Sequence, residues 1–258
     1  MGILNTTPDS FSDGGSYTNI EASLAHARQL IEDGAHIIDI GGESSRPGAQ
    51  PVSLEEELRR TIPVITALRS ESAIPLSIDT VKAEVARQAL AAGANIINDI
   101  SALSFDPEMV DVLCDSKAEV VLMHMQGSPS TMQNNPQYHN ITEELMIYFS
   151  NCIDNLEKRG VSLEQIIVDP GIGFGKTLEH NLRLFKDLGR FQELGTRVLL
   201  GHSRKSFLGV LTGSNIAGNR DQATAICSAL CANRGIDIIR VHNVVATKDA
   251  LTIAEALS

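Results

Sequence analysis

Eight short apolar runs rich in β-branched residues recur along this 258-residue chain, and amphipathic stretches separate them. In order, the runs are MGILN (1–5), HIIDIGG (36–42), PLSIDT (75–80), NIINDI (95–100), EVVLMHM (119–125), QIIVDPG (165–171), RVLLGHS (197–203) and DIIRVHN (237–243). They are apolar without strict alternation, which is typical of strands covered on both faces. Strand and helix alternating eight times predicts an α/β fold, a (β/α)₈ TIM barrel formed by a single domain over residues 1–258. An open, doubly wound parallel sheet is the alternative.

The charge balance and the cysteine content exclude several classes of function. The net charge of −11 disfavours nucleic acid and anionic membranes as partners, so an anionic ligand would need a local cluster of basic groups. The sequence contains no run of eighteen apolar residues and opens without a signal-peptide pattern, so we expect neither a transmembrane helix nor a secreted protein. The cysteines lack CxxC spacing, which predicts free thiols in a reducing cytoplasm: Cys114, Cys152, Cys227 and Cys231.

A weak internal repeat marks the ends of three predicted strands. The segments GAHIIDIG, GANIINDI and GIDIIRVH share a glycine and two isoleucines, and five positions after the glycine they carry Asp39, Asn98 and Arg240. Side chains two positions apart point the same way on a strand, so Arg240 and His242 should share one face. Barrel enzymes build their sites at the carboxyl ends of their strands. We therefore expect the polar strand-end residues to gather on one rim: Asn5, Asp39, Asp79, Asn98, His124, Asp169, His202, Arg240 and His242.

The polar residues near these strand ends are of two chemical kinds. Asp79, Asn98 and Asp169 are short carboxylate and amide groups that suit a flat heterocycle whose N–H groups they can clamp. Structural helix caps are the alternative for these residues. The basic groups lie at three strand–loop junctions, and together they are typical of a phosphate or diphosphate site, with solvated surface charge as the alternative. They are Arg46, Arg204, Lys205, Arg240 and His242.

The stretch DPGIGFGKT (169–177) is similar to a phosphate-binding P-loop, which would hold a nucleotide. The pattern G-x-x-x-x-G-K-[ST] is met at Gly175, Lys176 and Thr177, but Pro170 stands where the first glycine is required. Asp169 would also place a carboxylate beside the phosphates. We therefore predict a tight glycine turn that lets a substrate ring approach the backbone.

Three strand-end histidines, His124, His202 and His242, could indicate a metal held by protein ligands. The first strand lacks the H-x-H pair of metal-dependent barrel hydrolases, and no HExxH motif occurs. Hydrogen-bonded rim histidines, or an anion contact from His242, are the interpretation we prefer.

No cysteine or G-x-S-x-G serine stands beside a base, which favours a group transfer in which the substrate carries its own leaving group. The long polar loops after strands one, two and five are predicted lids.

Eight blocks of the sequence resemble, in order, the signatures of bacterial dihydropteroate synthases. They are MGILNTTPDSFSDGG, DIGGESSRPGA, SIDT, NDI, LMHMQGSP, DPGIGFGK, SRKSFLG and IIRVH, and they run from residue 1 almost to the end. The resemblance implies a cytoplasmic transferase of folate biosynthesis. Such an enzyme joins 4-aminobenzoate to 6-hydroxymethyl-7,8-dihydropterin diphosphate, forming 7,8-dihydropteroate and releasing pyrophosphate. It also implies bound Mg²⁺ and a homodimer formed through the late helices.

Carried over position by position, the resemblance assigns the predicted site residues to three groups. The pterin would be held by Asp79, Asn98, Asp169 and Lys205, of which Asp79, Asp169 and Lys205 would be catalytic. The diphosphate would be held by Asn5, Ser45, Arg46, Arg240 and His242, with Asn5 reaching Mg²⁺ and with Ser45 in a position where the family usually has threonine. Arg46 and Ser206 would help to place the diphosphate and the aminobenzoate, and Phe11 and Phe174 would flank the aminobenzoate ring.

Two features depart from the family pattern. Family members usually carry a short segment before the first strand, so we expect this chain to be a trimmed or fused piece. His202 replaces a more usual methionine. Two rival functions stay open: a methyltetrahydrofolate–corrinoid methyltransferase, which would share the pterin site without the whole diphosphate set, and a non-catalytic pterin-binding subunit. The SRKS and RVH segments argue against the first, and the intact diphosphate residues argue against the second.

Overall fold

The computed structural model of the chain describes residues 1–6, 16–44 and 49–258, without the side chains of residues 16–19. Within that part, all eight predicted strands are present, and each is two to five residues long. They are β1 (Gly2–Asn5), β2 (Ile38–Gly41), β3 (Leu76–Asp79), β4 (Ile96–Asp99), β5 (Glu119–Met123), β6 (Ile166–Asp169), β7 (Arg197–Leu200) and β8 (Ile238–Ile239). The strands are parallel and follow one another in chain order around the sheet.

The sheet closes on itself between its last strand and its first. Val241, just beyond β8, forms a parallel bridge with Gly2. Its N–H donates to the carbonyl of Met1 at 2.9 Å, and its carbonyl accepts from the N–H of Ile3 at 3.0 Å. The fold is therefore a closed (β/α)₈ TIM barrel in one domain, as predicted, and not an open doubly wound sheet.

Helices follow the strands and cover the outside of the barrel. In the described residues they are α1 (Ser16–Glu32), α2 (Leu54–Glu71), α3 (Ala83–Ala91), α4 (Met109–Cys114), α5 (Ile141–Lys158), α6 (Leu178–Lys186), α7 (Ser206–Thr212), α8 (Asp221–Cys231) and α9 (Val244–Ala256). Side-chain oxygens accept from backbone N–H groups at the start of four of them: Ser53, Asn140, Thr177 and Asn243. None of the described helices has the length and apolar character needed to cross a membrane. The four cysteines are free thiols, as predicted.

The pleat of the strands divides the apolar residues into two cores. The larger core lies between the strands and the helices, where residues such as Ile40, Ile78 and Val168 are fully buried. A smaller core fills the inside of the barrel with one residue from each of five strands: Ile96, Val121, Ile167, Leu199 and Ile238. Residues two positions further along each strand point into the same interior, nearer the carboxyl end. Three of those five positions carry polar groups of the site, Asn98, Asp169 and Arg240, and the other two carry Met123 and Gly201.

Candidate active site

A cavity of about 580 Å³ lies at the carboxyl ends of the strands, where the sequence analysis placed the site. Nine predicted site residues line it: Asn5, Asp79, Asn98, Asp169, Phe174, Lys205, Ser206, Arg240 and His242. The other three predicted residues, Phe11, Ser45 and Arg46, lie outside the described residues. The structure therefore brings together every predicted site residue that it describes. The prediction that Arg240 and His242 share one face is confirmed.

A buried ion network lies beneath the cavity and joins β2, β3 and β8. Arg240 Nε donates to Asp39 Oδ2 at 2.6 Å, and Arg240 Nη2 donates to Asp79 Oδ2 at 2.7 Å. Asp39 is completely buried and does not line the cavity, whereas Asp79 and Arg240 do. Burial alone would lower the pKa of Arg240, but the two carboxylates outweigh it and hold this pKa above its ordinary value. Arg240 is therefore a permanent cation between two buried acids.

Two carboxyl groups on the cavity wall hold protons more tightly than ordinary aspartates do. Burial raises the pKa of Asp79 to about 7, although the charge of Arg240 opposes the shift. Burial also raises the pKa of Asp169, against the opposing charge of Lys205. The Gly171 N–H donates to Asp169 Oδ1 at 2.8 Å and so orients that carboxyl group. Each group can accept from N–H donors of a ligand when ionised, and can donate when protonated.

Lys205 lies at the start of α7 and reaches across the cavity to the glycine turn. Its Nζ donates to the carbonyl of Ile172 and lies 4.2 Å from the centroid of the Phe174 ring. Burial lowers the pKa of Lys205 to about 7, while the carboxylate of Asp169 acts in the opposite direction. Unlike Arg240, Lys205 thus changes between a cation and a neutral amine close to neutral pH.

His242 and Asn5 stand on the wall formed by the first and last strands. Ser203 Oγ lies 2.8 Å from His242 Nδ1 and accepts from the His242 backbone N–H at 3.2 Å. This double contact fixes the orientation of the imidazole at the cavity. Asn5 ends β1 and lines the cavity, and its side chain makes no hydrogen bond to the described part of the chain. Its amide can therefore serve a ligand without breaking a bond of the fold.

The glycine turn after β6 brings two loops into backbone contact. Gly171 has a φ of 67°, and a Cβ added there would lie 2.0 Å from the carbonyl oxygen of His124. Lys176 is 4% exposed and donates through Nζ to the carbonyls of Phe174 at 2.9 Å and His124 at 3.1 Å. Its amino group is thus bound within the protein, and the predicted tight glycine turn is confirmed. The glycines allow this close packing, and Asp169, Gly173 and Phe174 are the residues of this motif that line the cavity.

The loop between β5 and α5, predicted as a lid, packs on the glycine turn. Gln133 Nε2 donates to the Gly173 carbonyl at 2.7 Å, and the Tyr138 hydroxyl donates to the Gly175 carbonyl at 2.9 Å. The sequence analysis did not single out Gln133, which lines the cavity. It also missed the apolar lining: Ile3, Ile100, Met123 and Met132. The strand pleat could have indicated Ile3 and Met123, because they are two positions from Asn5 and from the inner-core Val121.

The prediction that all polar strand-end residues reach the rim needs correction for three of them. Asp39 is buried below the cavity, and two histidines point out of the barrel. His202 Nε2 lies 3.1 Å from the Thr224 carbonyl and 3.1 Å from Ser228 Oγ on α8, and burial lowers its pKa to about 4. Burial and the nearby Lys176 lower the pKa of His124 to about 3. Both histidines are therefore neutral and structural at pH 7.

Within the described residues, no group of three or more His, Cys, Asp or Glu side chains could hold a metal ion. Arg204 lines the cavity, but its guanidinium pairs with Asp221 at 2.5 and 2.8 Å. Arg240 likewise pairs with Asp39 and Asp79, whereas Lys205 contacts a backbone carbonyl and His242 contacts Ser203.

Comparison with known proteins identifies the family. The family described as "Pterin binding enzyme" matches residues 1–242. The dihydropteroate synthase of Synechocystis sp. is 49% identical over 257 residues, which cover 100% of this chain and 89% of that protein. The chain belongs to the dihydropteroate synthase family.

Two solved structures of Xanthomonas albilineans dihydropteroate synthase resemble this chain closely. The structure with 4-aminobenzoic acid has a TM-score of 0.93 and is 47% identical, covering 100% of this chain and 92% of that one. The structure in complex with 7,8-dihydropteroate has a TM-score of 0.90 and 44% identity, with the same coverage of 100% and 92%. The family named from the sequence blocks is therefore confirmed, together with the barrel fold.

Replacing Gly171 by alanine should destabilise the protein much more than replacing Gly213. The two glycines have φ values of 67° and 71°, so alanine at either incurs a left-handed backbone penalty of about 1–2 kcal/mol. Only Gly171 also meets a carbonyl oxygen, since nothing lies within 4 Å of the added Cβ at Gly213. We expect urea denaturation to give a loss for Gly171→Ala that exceeds that for Gly213→Ala by about 2 kcal/mol. Equal losses would contradict the close-packing role.

The side chain of Lys205 should titrate close to pH 7. In protein labelled with ¹³C-lysine, the NMR signal of one ε-carbon should have its midpoint there, and this signal should be absent from Lys205→Arg. Since the Asp169 carboxylate raises the pKa of Lys205, Asp169→Asn should move the midpoint to lower pH. A Lys205 signal that titrates near the ordinary value of about 10.4 would contradict the effect of burial.

Proposed function

We propose that this protein condenses 6-hydroxymethyl-7,8-dihydropterin diphosphate with 4-aminobenzoate, giving 7,8-dihydropteroate and pyrophosphate in folate biosynthesis. Full-length similarity to dihydropteroate synthases supports the proposal, and so do the aminobenzoate and dihydropteroate complexes of relatives. The observation that carries it is a single cavity with two kinds of wall. Carboxyl and amide groups line it together with basic groups. A ligand with a ring rich in N–H groups and an anionic tail suits this lining, because the ring can bind the carboxyl and amide groups and the tail can bind the basic groups.

The pterin ring is bound by the short polar groups of β3, β4 and β6. Asp169 and Asn98 accept from its adjacent N–H groups, and Lys205 donates to its acceptors. Asp79, one strand from Asn98, is in register with it across the sheet, so both reach one flat ligand. When ionised, the carboxylates of Asp79 and Asp169 stabilise positive charge that develops on the pterin as its leaving group departs.

The diphosphate is bound where β1 and β8 meet. Asn5, Arg240 and His242 serve it there, and Ser45 and Arg46 belong to the same set by the family pattern. Mg²⁺ prefers oxygen ligands and is often held by one or two protein groups together with substrate phosphates and water. The amide oxygen of Asn5 fits that mode, because it lies at the cavity and is not used by the described residues. When bound, Mg²⁺ would stabilise negative charge on the departing pyrophosphate.

The reaction exchanges one bond for another at the pterin methylene carbon. The carbon–oxygen bond to the diphosphate breaks, and its electron pair leaves with pyrophosphate. The nitrogen lone pair of 4-aminobenzoate forms the new carbon–nitrogen bond, and the nitrogen then loses a proton to solvent. An arylamine is already neutral at pH 7, so the protein mainly has to place it. Ser206 and Phe174 on the cavity wall do this, together with the predicted Phe11.

The exposed faces of the late helices support a homodimer, and the free thiols support a cytoplasmic location. Apolar side chains that are about half exposed or more concentrate on α7, α8, α9 and their flanking residues: Val210, Leu211, Ile216, Ile226, Leu230, Val245, Ile253 and Leu257. Ile226 and Leu230 are four residues apart on α8 and so share one helix face. A second copy of this chain would remove this apolar surface from water.

Four cysteines without disulfide bonds are typical of a reducing compartment and so support a cytoplasmic location.

Mixing the protein with Mg²⁺, the pterin diphosphate and 4-aminobenzoate should release pyrophosphate only when the amine is present.

Asn5→Ala should lower kcat/KM by roughly 100-fold, since it removes a group that acts on the leaving group. The exposed Asn155→Ala on α5 is the control and should behave as wild type. Thermal unfolding should be unchanged in both. Amine-independent pyrophosphate release, or full activity in Asn5→Ala, would contradict the proposal. Methyl transfer to a corrinoid releases no pyrophosphate, so this assay also separates the rival function.

Sedimentation equilibrium should report a dimer for the wild type and a monomer for Leu230→Glu. A carboxylate on α8 would have to be buried against the second copy without a partner, which opposes association. Ile147→Glu is the matched control, because Ile147 is 63% exposed on α5, away from the late helices. A wild-type monomer at micromolar concentration would refute the dimer, and so would dissociation by Ile147→Glu alone.

A further inference from the structure

One oxygen atom of Asp39 holds two residues of the cavity wall. Asp39 Oδ2 accepts from Arg240 Nε at 2.6 Å and from Asn98 Nδ2 at 3.2 Å. Both donors line the cavity, whereas Asp39 is completely buried beneath it. Asp39 and Asn98 lie on β2 and β4, and Arg240 directly follows β8, so the contact fixes side chains from separate parts of the barrel relative to one another.

The chemistry of this contact determines which way the Asn98 amide faces. A carboxylate paired with a guanidinium only accepts hydrogen bonds, so the amide nitrogen of Asn98 must face Asp39. The amide oxygen is then turned away from Asp39 and stays available, as an acceptor, to a ligand in the cavity. Without Asp39, rotation of the Asn98 amide by 180° would exchange this acceptor for a donor at the same place.

The same oxygen restrains Arg240. Asp39 accepts from Nε and Asp79 accepts from Nη2, so the plane of the Arg240 guanidinium group has a fixed orientation. A fixed plane places the remaining N–H groups in one direction at the cavity wall. Asp39 thus acts on two predicted substrate contacts without touching the substrate.

We propose that Asp39 is a positioning residue that sets the hydrogen-bonding pattern of the ring site, by holding the Asn98 amide with its oxygen available to the ring and by orienting Arg240. This inference rests on the proposed function, because the ring in question is the pterin. It assigns a role in substrate recognition to a residue that lies outside the cavity lining.

Calorimetry with 6-hydroxymethylpterin tests this through a double-mutant cycle. Asp39→Asn should weaken pterin binding by roughly 10- to 100-fold, as removal of a group that orients a ligand-binding residue does. In an Asn98→Ala background, the same change should weaken binding by less than about threefold, because 6-hydroxymethylpterin lacks the diphosphate assigned to Arg240 and the effect on it passes through Asn98. The KM for 4-aminobenzoate should stay within about twofold of wild type, since Asp39 contacts neither Ser206 nor Phe174.

Asp99→Asn is the matched control. Asp99 is equally buried and neighbours Asn98 in sequence, but it accepts from the N–H and hydroxyl of Ser101. It should therefore leave pterin affinity close to wild type, although it also replaces a buried carboxylate. Asp39→Ser repeats the cycle with a smaller side chain, in case Asp39→Asn does not fold.

Two outcomes would overturn the inference by itself: wild-type pterin affinity in the Asp39 variants, or losses that add fully to that of Asn98→Ala. A purely structural role predicts such additivity. Absence of pterin binding by the wild-type protein would instead refute the proposed function, and this inference would fail with it. The wild-type measurement therefore separates the two failures.

Discussion

Arg240 pairs with two carboxylates, Asp39 beneath the cavity and Asp79 on its wall, and the site is arranged around these contacts. Asp39 and Asp79 come from neighbouring strands at the front of the chain, whereas Arg240 follows the last strand. An unpaired carboxylate in such a place would be several kcal/mol unfavourable, so the acids depend on the guanidinium that lies between them. The ion network also crosses the seam at which β8 returns to β1. The electrostatic balance of the site therefore depends on Arg240, and the backbone of the next residue, Val241, closes the barrel.

These ion pairs determine which charged groups in the cavity are available to a ligand. Arg240 is partly neutralised by its two acids, and Arg204 pairs with Asp221. Lys205 and His242 are held differently: Lys205 by a backbone carbonyl and Phe174, His242 by Ser203. Because burial brings the pKa values of Lys205 and Asp79 both to about 7, the charge of the cavity is sensitive to pH and to what binds. Entry of a diphosphate would favour the protonated form of Lys205.

The sequence predicted the barrel and the polar groups at its strand ends because strand parity is a strong constraint, whereas Phe174 and Ser206 were named only by the family resemblance. The repeat that aligned Asp39, Asn98 and Arg240 marks equivalent inward positions on three strands, and in the structure these residues hydrogen-bond to one another. The same parity excludes His202, which is one position from the inward-facing Gly201, and so it should have been assigned to the outer core. The hydrogen-bond partners of these side chains on other strands could not be predicted, since they depend on the stagger of the strands and on how the barrel closes. The packing of Gln133 on Gly173 depends on loop geometry that no local pattern encodes.

The most direct measurement is a crystal structure with 6-hydroxymethylpterin, Mg²⁺ and pyrophosphate bound together, a mixture that cannot react. The account predicts ring N–H groups about 3 Å from Asp169 and from the Asn98 amide oxygen, with the pyrophosphate against Asn5 and His242. It also predicts that Arg240 keeps its contact with Asp39. A ring bound away from these carboxyl and amide groups, or a pyrophosphate at another mouth of the barrel, would contradict the claim that both walls of the cavity act on one substrate.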